Sequence, residues 1–225
     1  MMSFKNRAQA AGLLAEKLLA YRGTQPLILG IPRGAVPLAK IIAEKLDGDL
    51  DVVLVHKIGA PDNPEFAIGS VDELGQVHKS AAADFYGISD ESIQKVGRFE
   101  LKRLKERRSA YSPVRPPLTI KGRVVIIVDD GIATGSTMLA AIRSVRSQNP
   151  KKLVVAAPVA SPRIAKIISR EVDDVLFLEV PEDFFSISQF YDDFSQVTDE
   201  EVLKTLSESL KKGSTPAVVL RKKSA

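Results

Sequence analysis

The stretch VVIIVDDGIATGSTMLAA, residues 124–141, joins a run of aliphatic residues to two adjacent carboxylates and a loop of small residues. The run 124–128 predicts a short strand that is buried on both faces, as strands of parallel sheets are. Asp129 and Asp130 follow it directly, and apolar residues at helical spacing resume after Ser136. The two acids and the loop therefore lie where a buried strand ends and a helix begins, which is where open α/β sheets bind ligands.

The rest of the chain alternates short apolar runs with amphipathic segments in the same way. This alternation predicts an α/β fold with a parallel sheet flanked by helices. Segment 58–75 has the Gly, Pro, Asp and Asn content of a loop, with a hairpin expected around 66–78, so a long insertion follows the second strand. The predicted strands are 26–30, 51–55, 124–128, 152–157 and 174–178, and the predicted helices are 4–20, 34–46, 89–111, 136–147, 161–170 and 199–211.

The composition is that of a globular protein with one sizeable core. The chain has 225 residues, no cysteine and no apolar run long enough to cross a bilayer. Its start lacks the pattern of a signal peptide, so we expect no membrane association and a cytoplasmic location. Residues 211–225 contain five basic residues and no acid, so this segment accounts for the positive net charge of +4. It suggests a solubilising or disordered tail after a single domain over 1–210.

The residues of the strand–loop–helix segment indicate the class of ligand. Backbone amides of the loop 131–137, just before a helix, would form a cradle for a phosphate. The two carboxylates would repel that phosphate, but they can accept hydrogen bonds from sugar hydroxyls on the same ligand. The segment therefore suits a phosphorylated sugar with adjacent free hydroxyls.

At these residues the chain resembles the type I phosphoribosyltransferases. VIIVDDGIATGST matches their motif for binding phosphoribosyl pyrophosphate (PRPP), and the order of the other segments is similar from about residue 25 to 180. The loop is most similar to that of adenine-type members, while GIPRGA (30–35) and APDNPEFAIG (60–69) point to a separate subgroup. The resemblance implies the type I fold, with a flexible-loop insertion over the site and a small C-terminal hood at about 180–194.

The resemblance also implies a role for individual residues. Asp129 and Asp130 would bind the ribose hydroxyls, and the turn 32–34 would bind pyrophosphate, often through an unusual peptide conformation. Arg33, Lys57 and Asp130 are the candidate catalytic residues, with Lys57 and the 59–69 segment matching the loop that closes over the site. The candidate PRPP-binding residues are Pro32, Arg33, Gly34, Asp129, Asp130, Gly131, Ala133, Thr134, Gly135, Ser136 and Thr137.

The implied reaction is displacement of pyrophosphate from C1 of the ribose by a nitrogen nucleophile, which we expect to be a nucleobase. Mg²⁺ would arrive bound to PRPP, with no direct protein ligand. Ala133 stands where hypoxanthine-guanine members carry an acid, which weakens that specificity and leaves the acceptor open. Phe184 and Phe185 of the hood are the candidate acceptor-binding residues, and Phe190 and Tyr191 are further aromatics that could stack on a base.

Two alternatives to the transferase remain open. Some proteins on this fold sense PRPP and bind RNA or DNA, and the helix segment 95–108, with seven basic residues against two acids, is compatible with such a partner. Hydrolysis or phosphorolysis of a phosphoribosyl compound at the same site is the other. By resemblance we also expect a homodimer.

Overall fold

The computed structural model describes residues 3–60 and 63–210. Strands and helices alternate along most of this part of the chain. The strands are β1 (Leu27–Gly30), β2 (Asp49–Val52), β3 (Val55–Ala60), β4 (Asn63–Asp72), β5 (Val77–Lys79), β6 (Val124–Val128), β7 (Lys152–Val159) and β8 (Asp174–Glu179). The helices are α1 (Arg7–Lys17), α2 (Ala35–Leu46), α3 (Ala81–Phe85), α4 (Asp90–Tyr111), α5 (Ser136–Arg146), α6 (Pro162–Glu171) and α7 (Asp199–Leu210).

A five-stranded parallel sheet forms the centre of the molecule, in the order β2-β1-β6-β7-β8. Side chains alternate between its two faces, so each strand contributes to two cores. On one face, residues such as Ile126 and Val128 pack with α1, α2 and α7; on the other, Val125 and Ile127 pack with α5 and α6. The predicted α/β fold with a parallel sheet flanked by helices is confirmed.

The insertion after β2 is a three-stranded antiparallel sheet, β3-β4-β5, followed by α3 and α4. The predicted hairpin is confirmed as β4 and β5, but the loop predicted over 58–75 is wrong, because most of that segment lies in β3 and β4. Composition misled here because glycine also occurs in irregular strands: the β3–β4 pairing has register shifts on either side of Gly59. The second strand of the central sheet also begins and ends earlier than predicted, since its pairing with β1 runs only from Asp49 to Val52.

Arg108 connects the insertion to the central sheet. Its guanidinium donates from Nη1 to Asp51 Oδ1 (3.0 Å), from Nη2 to the Val52 carbonyl (2.9 Å), and from Nη2 and Nε to both carboxylate oxygens of Glu73. Asp51 lies in β2, whereas Glu73 follows β4. The side chains of Arg108, Asp51 and Glu73 are 13%, 4% and 17% exposed, so the cluster is largely removed from water. Arg108 is therefore not available to a nucleic acid, which weakens the interpretation of 95–108 as a nucleic-acid surface.

Replacing Arg108 with methionine should lower the free energy of unfolding by about 3–5 kcal/mol, because two buried carboxylates lose their cation. Denaturant unfolding of Arg108→Met measures the loss. Lys105→Met, at an exposed position of the same helix, is the matched control and should change stability little. Equal stability of the two variants would show that the cluster does not hold the insertion in place.

Candidate active site

The carboxyl ends of β1 and β6 are neighbours, and the chain turns to opposite sides of the sheet from these two strands. The Ile31 N–H donates to the Val128 carbonyl at 3.1 Å, which joins the segment after β1 to the end of β6. A Cβ placed on Gly34 would lie 2.1 Å from Asp130 Oδ2. The structure thus brings together two of the predicted segments, the turn 32–34 and the Asp129–Asp130 pair, at the topological switch point of the sheet.

Asp129 and Asp130 lie in a poorly hydrated position. Asp130 is 9% exposed and Asp129 is partly buried, and the Asp130 N–H donates to Asp129 Oδ1 at 2.9 Å. Burial raises the pKa of Asp129 well above its ordinary value, and the neighbouring Asp130 charge raises it further. Burial also raises the pKa of Asp130, although Arg7 opposes that shift. The pair is therefore desolvated and self-repelling, as expected of carboxylates that can gain further hydrogen bonds from a ligand.

Arg7, at the start of α1, is the cation closest to this pair. Its Nη2 and Nε both contact Asp130 Oδ2, at 2.8 and 2.9 Å. Sequence analysis missed Arg7, but a signal was present: it is a basic residue in the first turn of a helix, where the helix dipole disfavours it, and that turn contains no acid. A cation in that position is expected to have a partner elsewhere in the fold.

The loop after the two acids leads into the N-terminus of α5. Gly135 adopts a left-handed conformation (φ 74°), and a Cβ there would lie 2.1 Å from an Ile164 side-chain carbon, so only glycine fits. Ser161 Oγ donates to the Ala133 carbonyl at 2.7 Å and fixes the middle of the loop. Thr134 is exposed, while Ser136 and Thr137 form the first turn of the helix. Their backbone N–H groups lie at the end of the helix that favours anions.

The pyrophosphate turn predicted at 32–34 has an unusual backbone. The Pro32–Arg33 peptide bond is cis, although the residue on its C-terminal side is an arginine and cis bonds are usually found before proline. Arg33 Nη1 lies 3.5 Å from Asp199 Oδ2 at the start of α7, and the hydroxyl of Tyr111 donates to Asp199 Oδ1 at 3.0 Å. About a third of the Arg33 side chain is exposed, so it reaches solvent from this ion pair.

Comparisons with known proteins agree with the fold and with the resemblance to phosphoribosyltransferases. A family model described as the phosphoribosyl transferase domain matches residues 4–195. The chain belongs to the phosphoribosyltransferase family. A Mycobacterium tuberculosis protein with a provisional phosphoribosyl transferase name is 35% identical over 207 residues, which cover 92% of this chain and 47% of that protein. The chain thus spans about half the length of this relative.

One further relative and one solved structure are also similar to this chain. The uracil phosphoribosyltransferase of Mycoplasma genitalium is 30% identical over 146 residues, 64% of this chain and 61% of that protein. The crystal structure of TT1426 from Thermus thermophilus superposes with a TM-score of 0.83 at 43% identity, covering 92% of this chain and 99% of that one. The type I phosphoribosyltransferase fold is therefore common to this chain and TT1426.

Residues 180–194, the predicted hood, are held in part by one polar side chain. Gln189 Oε1 accepts from the backbone N–H groups of Phe185 and Ser186, and its Nε2 donates to the Asp183 carbonyl, all at 2.9 Å. Ile187 packs over the acidic motif, since a Cβ on Gly131 would lie 2.4 Å from it. The predicted hood is thus in direct contact with the start of the loop 131–137.

Of the four hood aromatics that were candidates for stacking on a base, two are in the core. Phe190 is fully buried, and Tyr191 is 7% exposed with its hydroxyl donating to the Asp130 carbonyl at 2.6 Å. Neither can stack on a base, which corrects that expectation; local sequence could not show that both pack against Phe4 near the N-terminus. Phe184 is partly buried and packs 5.5 Å from Phe190, whereas Phe185 is 88% exposed. The two acceptor candidates are therefore accessible to different degrees.

Lys57 lies in β3, paired with Ser70 of β4, and its side chain is half-buried. It belongs to the insertion sheet and not to a loop. Part of the predicted closing segment 59–69, at residues 61–62, lies outside the described residues, as does the basic tail 211–225. Among the residues that the structure describes, no helix is long and apolar enough to span a membrane.

Proposed function

We propose that this protein transfers ribose 5-phosphate from PRPP to a nitrogen acceptor and releases pyrophosphate. The observation that carries the proposal is the close approach of Gly34, in the turn 32–34, to Asp130, whose loop leads into the N-terminus of α5. These parts match the three groups of PRPP: the pyrophosphate, the ribose hydroxyls and the 5-phosphate.

The ribose end of the ligand suits the acid pair. Asp129 and Asp130 are desolvated and repel each other, so two hydroxyl donors would relieve an unfavourable state. Each such charge-assisted hydrogen bond contributes about 1.5–3 kcal/mol. The first turn of α5, with the hydroxyls of Thr134, Ser136 and Thr137 nearby in sequence, would receive the 5-phosphate.

In the reaction, the bond between C1 and the pyrophosphate oxygen breaks, a C1–N bond forms, and the acceptor nitrogen gives up a proton. Negative charge collects on the leaving group, where Arg33 and Lys57 would stabilise it, and removal of one such charge commonly costs about 100-fold or more in turnover. The carboxylates of Asp129 and Asp130 are of the ligand type that Mg²⁺ prefers, so they fit Mg²⁺ that is carried by the substrate. The described residues include no group of three or more acids and histidines that could hold the ion by themselves. Mg²⁺ bound to PRPP would supply additional charge stabilisation for the leaving pyrophosphate.

The acceptor that we favour is a nucleobase. Phe185 exposes an aromatic face on the hood, and a relative of this chain carries the name uracil phosphoribosyltransferase. A base can stack on such a face.

Calorimetric titration with PRPP and Mg²⁺, alone and then with a panel of nucleobases, tests the proposal. PRPP should bind, one base should bind more tightly in the presence of PRPP, and that mixture should release pyrophosphate. PRPP binding without pyrophosphate release in the presence of any base would favour a PRPP sensor. No PRPP binding by the folded protein would refute the proposal.

Lys57→Ala should lower turnover by about 100-fold while changing the Kd of PRPP far less, because leaving-group charge develops mainly in the transition state. Steady-state kinetics and calorimetry of the same variant separate the two effects. Lys95→Ala, on the exposed surface of α4, is the matched control. A Lys57 variant with unchanged turnover would remove this lysine from the mechanism.

A further inference from the structure

Arg7 contacts Asp130 in a way that fixes one end of its carboxyl group. Nε donates a hydrogen bond to Oδ2 at 2.9 Å, and Nη2 lies 2.8 Å from the same oxygen in an ion-pair contact. Both side chains are 13% exposed, so water competes little for this contact. Because Arg7 uses Oδ2, Oδ1 is the oxygen that it leaves for another donor.

The same guanidinium also holds the chain that follows the hood. Arg7 Nη1 donates to the Ser195 carbonyl at 2.7 Å, and the group lies 3.9 Å from the centre of the Phe194 ring. Phe194 stacks in turn on Tyr191 at 4.9 Å, and the Tyr191 hydroxyl donates to the Asp130 carbonyl. Through these contacts, α1, the hood and the acid motif are each joined to the other two.

The charges around Asp130 make Arg7 the balancing group. Asp129 faces Asp130 from the same motif, Arg7 from α1, and the neutral phenol of Tyr191 from the hood. Burial raises the pKa of Asp130, and the nearby Arg7 charge and its hydrogen bonds act in the opposite direction. If Arg7 were absent, its positive charge would no longer offset the negative charges of the two desolvated carboxyl groups. The pair would then bind a proton more readily.

The pyrophosphate turn packs against the contact and leaves little freedom for it to rearrange. A Cβ on Gly34 would lie 2.1 Å from Asp130 Oδ2 and 3.4 Å from Arg7 Nη2. A side chain at position 34 would therefore displace Asp130 or Arg7.

We propose that Arg7 is a positioning residue of the ribose site, which pairs its positive charge with Asp130 at Oδ2, leaves Oδ1 for the ligand, and ties the acid motif to the hood. The proposal rests on the proposed function for the identity of the ligand. The contacts that carry it are present without any ligand, so its first test needs none.

The first measurement is a carboxyl NMR titration of the Asp129–Asp130 pair in the ligand-free protein. In Arg7→Gln the pair should titrate at higher pH than in the wild type, because the opposing positive charge is gone. Arg22→Gln removes an arginine from an exposed ion pair with Asp47 and should leave the titration unchanged. An Asp130 titration unaltered in folded Arg7→Gln protein would overturn the proposal.

The second measurement is the Kd of PRPP with Mg²⁺ as a function of pH. Arg7→Gln should weaken binding by about 10-fold or more at neutral pH, the size expected for a compromised charge-assisted hydrogen bond. The loss should shrink at higher pH, where Asp130 regains its charge; a loss independent of pH would point to a packing role and count against the proposal.

Arg7→Lys keeps the charge, but a single ammonium group cannot reproduce the hydrogen bond of Nε to Oδ2, the ion-pair contact of Nη2 and the hydrogen bond of Nη1 to the Ser195 carbonyl. In Arg7→Lys the Asp129–Asp130 pair should titrate close to the wild-type pH, but PRPP should still bind more weakly than it does to the wild type. Wild-type PRPP affinity in this variant would overturn the positioning role. Arg7→Lys also tests the proposal if Arg7→Gln does not fold. If the wild type binds no PRPP while Arg7→Gln shifts the titration, the proposed function fails and the control of Asp130 by Arg7 stands.

Discussion

The Gly34→Ala variant is expected to lose about 100-fold or more of its PRPP affinity while it remains folded. Gly34 has φ −56° and ψ −35°, a conformation that alanine adopts without strain, so the backbone should tolerate the change. The added methyl group would lie 2.1 Å from Asp130 Oδ2, well inside van der Waals contact. Arg7 holds that oxygen, so the carboxylate and the turn must separate, and the loss of two charge-assisted hydrogen bonds of about 1.5 kcal/mol or more each would weaken binding by about 100-fold or more.

Gly12→Ala is the matched control, because a Cβ at Gly12 meets nothing within 4 Å. It lies within α1, and alanine there should leave PRPP binding unchanged and favour the helix slightly. Calorimetric titration of both variants, with circular dichroism to verify folding, measures the difference. Wild-type affinity in Gly34→Ala would show that the turn and Asp130 do not bind one ligand in the arrangement seen here.

The second large effect concerns Asp129→Asn, which should stabilise the protein and weaken PRPP binding at the same time. The pKa of Asp129 is raised by burial and then by the Asp130 charge, so its ionised form is unfavourable in the folded state. Asparagine removes the charge, and its side-chain oxygen can still accept the hydrogen bond from the Asp130 N–H. We expect a gain of roughly 1 kcal/mol or more at neutral pH, equivalent to about 2–4 °C in Tm for a chain of this size.

The pH dependence of this gain has a defined direction. The folded state binds the Asp129 proton more tightly than the unfolded state, whose pKa is about 3.9. Wild-type stability therefore falls as the pH rises from about 4 through the raised pKa of the folded protein, and this decrease is absent from Asp129→Asn. The variant's advantage should be small below about pH 4, grow over that interval and then remain constant.

Thermal unfolding of the wild type and Asp129→Asn between pH 4 and pH 8 measures the gain, and calorimetry gives the PRPP affinity. Binding should weaken by about 10-fold or more, since a carboxylate that accepts from a ribose hydroxyl is lost. Asp183→Asn, in the hood and exposed, is the control for removal of an acid and should change neither quantity. A destabilised Asp129→Asn protein would indicate that the negative charge is compensated in the folded state.

The pattern of destabilised acids at a binding site is common, because groups arranged for a ligand are not arranged for stability. In this protein, Arg7 offsets the cost of burying the two negative charges only in part, and it acts mainly on Asp130. Arg7 opposes the burial of Asp130 directly, whereas its influence on Asp129 is smaller than those of burial and of Asp130. Variants of Asp129 and Arg7 should therefore shift stability in opposite directions.

Much of the architecture follows from local sequence. The run 124–128 is aliphatic at every position, which is possible only for a strand covered on both faces, and the structure buries all five residues. Ser89 was expected to cap a long helix, and its side chain accepts from the Ser92 N–H at the start of α4. Periodicity and caps report the environment of residues a few positions apart, so elements with these signals could be predicted.

The contacts that tune the site depend on the tertiary structure. Arg7 and Asp130 are 123 positions apart, and the Arg108 cluster joins residues separated by 35 and 57 positions. Such pairs leave no periodic pattern, because a single charge is compatible with either solvent or a distant partner. The sequence by itself determined the parallel sheet and the strand–acid–loop–helix segment, since burial pattern and local hydrogen bonding specify them. Only the folded chain decided which cation faces the acids and which hood aromatics are buried, because those depend on how separate elements meet.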